Sequence, residues 1–179
     1  MNNHKIIYLL IGAKGSGKSF IGGLFEQYFH IHFVRVEDWA KKVKKGRKTD
    51  DENYVKEFFK VTENGIRSIM NEKDAVVFES TGLSLHFDAM LAHLRSTFRI
   101  IPIRIRTDPE LCITRFHSRD ADIHIDVSEN EVRKINKAVE IKNFTCDYEI
   151  ENSSASREDL VEKIQAILIK TCPGKTEQN

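Results

Sequence analysis

Gly12-Ala13-Lys14-Gly15-Ser16-Gly17-Lys18-Ser19 decides the reading of this chain, because it satisfies the spacing GxxxxGK[ST] and follows directly on the apolar run Ile6 to Ile11. Phosphate capture needs a strand entering such a loop and a helix leaving it. Glycines let the backbone turn tightly so that its N–H groups converge on phosphate oxygens, and the first turn of the next helix adds partial positive charge. Lys18 is then placed to bridge β- and γ-phosphates, and the Ser19 hydroxyl to hold Mg²⁺. The plainer alternative, a flexible glycine turn, explains neither the spacing nor the context.

Working outward, five apolar, β-branched-rich runs predict strands: Ile6 to Ile11, His32 to Val36, Ala75 to Phe78, Arg99 to Ile105 and Tyr148 to Ile150. Helical patterns separate them. Three helix starts are marked by a hydroxyl with an acid three residues on: Thr49 with Glu52, Ser128 with Glu131, and Ser156 with Asp159, the last a weaker pairing because Asp is shorter than Glu. Val55, Phe58, Phe59, Ile66, Ile69 and Met70 share one helical face, as do Leu160, Val161, Ile164, Ile167 and Leu168, so both helices are expected to pack on a sheet. Strands alternating with helices predict an α/β fold with a mostly parallel sheet covered on both faces, and a ligand site beyond the carboxyl ends of the strands. Pro102 is awkward within the fourth run because it removes a ladder donor.

Composition bounds the partners. The 179 residues suit one domain, expected over 1–171, with a flexible tail over 172–179. With 28 Lys+Arg against 27 Asp+Glu the formal charge is +1, so a nucleic-acid or membrane partner would need a local patch. The apolar run Ile6 to Ala13 falls far short of the roughly 20 residues that span a bilayer, and no signal peptide is visible, so a cytoplasmic protein is expected. Cys112, Cys146 and Cys172 are too few and too widely spaced for a disulfide framework and are read as reduced thiols. The seven histidines show no metal spacing, and His117 and His124 are read as surface groups. Oligomeric state is not legible.

The loop at 12–19, AVVFESTG at 75–82 and IRIRTDPELCITRFHSRD at 103–120 together resemble the small P-loop kinases, the group that includes shikimate, gluconate, adenylate and nucleoside kinases. The resemblance covers nearly the whole chain, and the loop is its most specific part. It implies a three-layer P-loop NTPase fold with a five-stranded parallel sheet in order 2-3-1-4-5, and an arginine-bearing lid after the fourth strand, here about 116–127. It further implies an ATP- and Mg²⁺-dependent kinase of a small metabolite, of nucleoside, nucleotide or sugar-like type. A polynucleotide 5'-end kinase and a non-catalytic nucleotide switch are the alternatives. Asn136-Lys137-Ala138-Val139 lacks the final Asp of the NKxD guanine signature. Ser80-Thr81-Gly82-Leu83 stands where shikimate kinases have a glycine cluster, and the Gly-Phe-Pro-Arg type segment of adenylate kinases is absent, so neither substrate carries over.

Within this scheme Glu79 ends the third strand beside the loop. It is the candidate to organise Mg²⁺ or position the attacking group, although the usual residue there is Asp and a solvated strand-end acid is the bland reading. Glu37 and Asp38 are expected at the end of the second strand, where this group often binds the acceptor hydroxyl. Asp38 is read as base or substrate ligand, or else as a helix cap for Trp39 onward. Asp108-Pro109-Glu110 starts a helix on which Arg115 and Arg119, four apart, share a face, to close over the γ-phosphate or to form an exposed basic surface. Lys41, Lys42, Lys44, Lys45, Arg47 and Lys48 are either a cationic helix end or an acceptor-binding region. Trp39 is read as an apolar wall or helix anchor, with base stacking as the other possibility.

Overall fold

A run such as Ile6–Gly12, apolar at every position, is stable as a strand only when both of its faces are covered. In a computed structural model of the chain, which describes residues 5–44, 46–48, 51–118 and 128–171, all seven residues of this strand, β1, are buried. Alternation sends Ile6, Tyr8 and Leu10 into one apolar layer and Ile7, Leu9 and Ile11 into the other. The remaining elements are α1 (Lys18–Phe29), β2 (His32–Val34), α2 (Val36–Lys44), α3 (Glu52–Glu72), β3 (Ala75–Ser80), α4 (Leu85–Arg95), β4 (Arg99–Arg106), α5 (Pro109–His117), α6 (Glu129–Lys142), β5 (Tyr148–Glu151) and α7 (Arg157–Thr171). The first layer takes Phe25 from α1 with Leu160 and Ile164 from α7, and the second takes Ile66 and Met70 from α3 with Phe87 and Leu91 from α4.

The five strands form one sheet in the order β2-β3-β1-β4-β5, every pair parallel, as the resemblance implies. Pro102 sits inside β4 because its missing donor falls at the end of a ladder. A residue's N–H and C=O point to the same side of a strand, and the Pro102 carbonyl accepts from Asp147 N at 2.9 Å, just before β5 begins opposite Ile103.

Several boundaries differ from expectation. β2 ends at Val34, so Glu37 and Asp38 occupy the first turn of α2 and not a strand end. Acids in that turn and Lys41, Lys42 and Lys44 in the last both complement the helix dipole, which favours a helix where apolar content alone suggests more strand. Because the helix starts at Val36, Asp38 does not cap it; its N–H already donates to Arg35 O at 3.1 Å. The side chain that caps α3 is Asp51, accepting from Tyr54 N at 2.8 Å; Thr49 lies outside the described residues. Ser128 and Glu131 form the expected reciprocal box, and Ser156 and Asp159 close one too, at 3.1 and 3.0 Å, despite the shorter acid. The lid expected at about 116–127 lies outside the described residues from 119 on, together with Arg119 and His124; so do Lys45, Cys172 and the expected tail.

Two adjacent glycines of α1 differ sharply in surroundings. A Cβ at Gly22 would stand 2.5 Å from the Phe33 ring, whereas one at Gly23 would meet nothing within 4 Å. Gly23→Ala is expected to raise stability by about 0.5–1 kcal/mol through helix propensity. Gly22→Ala is expected to lower it by about 1–3 kcal/mol through overpacking, both read by urea denaturation.

Candidate active site

The loop between β1 and α1 is locked from three sides. Gly15 and Gly17 both have φ +87°, and a Cβ there would stand 2.0 Å from the Cys112 carbonyl oxygen of α5 and 2.2 Å from Asn152 Nδ2 respectively. The Ser16 carbonyl accepts from Thr107 Oγ1 at 2.9 Å and from Asn152 Nδ2 at 2.8 Å. Lys14 N donates to Asn136 Oδ1 at 2.7 Å, and Asn136 Nδ2 donates back to Lys14 O at 3.0 Å. Thr107 directly follows β4, Asn152 directly follows β5, and Asn136 lies within α6, so sheet and helix together hold the loop shape.

The loop presents polar groups inward. Lys18, 7% exposed, folds back so that Nζ donates to Gly12 O at 3.0 Å and Ala13 O at 2.7 Å. Ser16 Oγ and Arg115 Nη1 are buried without a hydrogen-bond partner. The other Arg115 nitrogen, Nη2, donates to Asn152 O at 3.0 Å, and Nη1 lies 3.7 Å from where a Gly17 Cβ would be. Arg115 is thus fixed beside the loop, not spread over a basic surface.

Glu79 lies opposite Leu10 of β1 in the register, which brings its carboxylate to the loop: Ser19 Oγ donates to Glu79 Oε1 at 2.7 Å. From this pair a cavity of about 570 Å³ runs toward α2 and α3. It is lined by Lys18, Ser19, Glu79 and Glu37 together with Tyr54, Phe58, Phe59, Phe78 and Phe87. Asp38, the residue favoured from sequence, is exposed and does not line it, because the early start of α2 turns the neighbouring Glu37 inward instead. Val55, Phe58 and Phe59, expected in the core, are only half-buried because they face this cavity. Burial pushes the Tyr54 phenol up, with the Arg47 guanidinium pulling partly back, so the ring stays neutral. Bonds from the Ser128 backbone and hydroxyl hold the Glu131 carboxyl below its usual range.

The helix α6 reaches both regions. Asn136 holds the loop, Glu131, Lys134 and Ile135 line the cavity, and Lys142 Nζ donates to Gly82 O and to the Asp88 carboxylate at the start of α4. Elsewhere the side chains are structural. Trp39 anchors α2, its ring lying where a Gly65 Cβ would be, at 2.4 Å. Arg47 pairs with Glu57 at 2.7 Å, and His117 with Glu129 at 2.8 Å. Cys112 and Cys146 are in no disulfide, and burial pushes the Cys146 thiol up. Among the described residues no three His, Cys, Asp or Glu side chains gather as a metal site, and no helix is long and apolar enough to cross a membrane.

No family model and no curated protein matches the chain. Solved structures do. A shikimate kinase from Acinetobacter baumannii is similar with a TM-score of 0.62 and 19% identity over 94% of each chain. A gluconokinase from Sinorhizobium meliloti matches with a TM-score of 0.63 and 14% identity over 96% of this chain and 94% of that one. The fold is that of the small P-loop kinases. A deoxyadenosine kinase from M. mycoides shares it with a TM-score of 0.62 and 13% identity over 92% of this chain and 99% of its own.

Within that fold, Thr107, Asn136 and Asn152 hold the phosphate loop and escape the sequence reading. Their one local signal is position: Thr107 and Asn152 each follow a strand, on the edge where sites form in open α/β sheets. Asn152→Ala removes one of two donors to a buried carbonyl and the wall against Gly17. It is expected to cost about 1–3 kcal/mol in thermal unfolding and to weaken nucleotide binding measured by calorimetry.

Proposed function

We propose that this chain is an ATP- and Mg²⁺-dependent kinase that phosphorylates a hydroxyl of a small metabolite held in the cavity beside Glu79. One juxtaposition carries the reading: Lys18, Ser19 and Glu79 together line a cavity of about 570 Å³, within the usual range for small-ligand sites. The loop with its positive-φ glycines Gly15 and Gly17, and Lys18 at the start of α1, fit a phosphate ligand, since the lysine and the backbone N–H groups of such a loop can donate to its oxygens. Ser19 and Glu79 would hold Mg²⁺ with phosphate and water oxygens completing its shell, and the ion would supply charge neutralisation between β- and γ-phosphates. The similar structures are kinases named for shikimate, gluconate and deoxyadenosine, alike in phosphoryl transfer and different in the acceptor.

In this reading Lys18 exchanges its two carbonyl partners for phosphate oxygens, and Arg115, held by Asn152 beside Gly17, adds a second cation near the loop. The acceptor oxygen forms a bond to the γ-phosphorus as the bond from that phosphorus to the β,γ-bridging oxygen breaks, releasing ADP. The hydroxyl proton passes to a carboxylate, for which the cavity offers Glu37, from α2, and Glu79, bonded to Ser19. Positioning and charge stabilisation therefore supply the catalysis. The basic segment needs no polynucleotide partner, since Lys41, Lys42 and Lys44 end a helix and Arg47 is paired with Glu57.

The test is a screen of hydroxyl metabolites for ADP release above basal hydrolysis. Lys18→Ala is expected to lower acceptor-dependent turnover about 10²–10³-fold with the fold intact by circular dichroism. Wild-type turnover in that variant would refute the assignment. Glu37→Gln is expected to lower turnover about 10²-fold or more while Asp38→Asn stays near wild type, and the reverse order would return the acceptor role to Asp38.

A further inference from the structure

Helix α6 is a partition between two cavities. Glu131, Lys134 and Ile135 line the one already described, while Arg133, Asn136, Lys137 and Glu140, on the opposite face at helical spacing, line a second of about 740 Å³. The two share no lining residue among those described. The second is bounded by β4 and the start of α5, through Arg104, Ile105, Pro109 and Cys112, and it reaches the phosphate loop at Gly12 and Ala13. No step of the proposed transfer uses it.

Its charges do not cancel internally. Arg106 pairs with Glu149 at 2.8 Å, and Arg133 with Glu110 at 2.9 Å and Glu129 at 2.8 Å. Arg104 has no ion pair among the described residues: it is half-buried and donates to a neutral group, the Phe144 carbonyl, with the Cys146 thiol beside it. Glu149, opposite Arg104 in the sheet register, is the acid already taken by Arg106. Lys137 is exposed and likewise has no ion pair among the described residues. Of the acids in the lining, Asp108 accepts from the first turn of α5 and Glu151 from Ser153, which leaves Glu140. Charge drawn from water is ordinarily paired, and the planar fork of a guanidinium fits a carboxylate or a phosphate. The lining also includes Ile11, Ile113, Val139 and Phe144, which suit an apolar body.

From this imbalance we infer that the second cavity is an effector site for a small organic anion, a carboxylate or phosphate on an apolar body, with Arg104 and Lys137 as its charge partners and Glu140 open to a hydroxyl or amino group. Asn136 carries the effect. Its side chain lines this cavity and also bonds the Lys14 backbone in both directions, at 2.7 and 3.0 Å, so an occupant that fixes α6 fixes the loop as well. Nucleotide then meets a loop already ordered and binds more tightly. The linkage rests on the nucleotide-binding part of the kinase reading, whereas occupation of the cavity does not.

The experiment follows amide NMR shifts of wild type titrated with acetate, inorganic phosphate, benzoate and phenyl phosphate, with benzyl alcohol as the neutral control, and measures ATP affinity by calorimetry with and without the anion that binds best. At least one anion is expected to bind, with shifts at Arg104 and along 133–140, and the alcohol not to bind. Arg104→Gln is expected to weaken that anion about tenfold or more while leaving ATP affinity in its absence near wild type. Lys137→Ala, at an exposed position, is expected to weaken it too and serves if Arg104→Gln unfolds. Lys18→Ala is expected to leave it unchanged, since an anion held by the phosphate loop would be lost there. Saturating anion is expected to tighten ATP about fivefold or more. Absence of anion binding, unchanged binding in both Arg104→Gln and Lys137→Ala, loss in Lys18→Ala, or an unchanged ATP affinity would each overturn the inference and leave the kinase reading standing. Mutual exclusion of anion and ATP would overturn it as well, by assigning the cavity to the nucleotide. Anion binding at Arg104 with no ATP binding at all would overturn the kinase reading and the effector role together, and leave an anion site.

Discussion

Parallel pairing of β1 on both sides is the constraint on which the molecule depends. Leu10 lies opposite Glu79 and Gly12 opposite Ile105, so the carboxyl ends of three strands arrive together where the chain turns into the phosphate loop. Burying each large apolar side chain of β1 stabilises by about 1.5–3 kcal/mol, more than the roughly 0.5–1.5 kcal/mol net of a typical hydrogen bond. The strand is therefore placed by burial, and the bonds from Thr107, Asn136 and Asn152 shape the loop that this placement makes possible.

The two halves of the site are built by different physics. On the donor side backbone groups are pinned by directional bonds, and the glycines Gly15 and Gly17 adopt a conformation that side chains resist. In the cavity the lining is largely aromatic, its attraction broad, with polar groups at a few points. A phosphate has one shape, so its cradle is strict; acceptors differ, so theirs is set by a handful of side chains.

Features set by neighbours in the chain were legible from sequence. The strand before Gly12, the helix after Gly17, the strand-end position of Glu79, the Ser128–Glu131 box and the Asp108 cap all rest on short spacings. Helical periodicity identified the apolar face of α3 but not what it faces, since Phe58 and Phe59 satisfy the same pattern whether they meet a core or a cavity. Sequence favoured Asp38, yet Glu37 lines the cavity, because the start of α2 decides which of the two turns inward and β2 is only three residues long. The loop's anchors were hidden by distance along the chain: Asn136 and Asn152 lie 122 and 136 positions from their partners.

The helix α6 backs both halves at once, with Asn136 on the loop, Ile135 in the cavity and Lys142 on the strand-to-helix turn at Gly82. A substitution at these α6 residues is felt by the loop and the cavity together, whereas one at Phe58 or Phe59 of α3 reaches the cavity alone. In the proposed reading, re-engineering the acceptor therefore has a freer path through α3 than through α6.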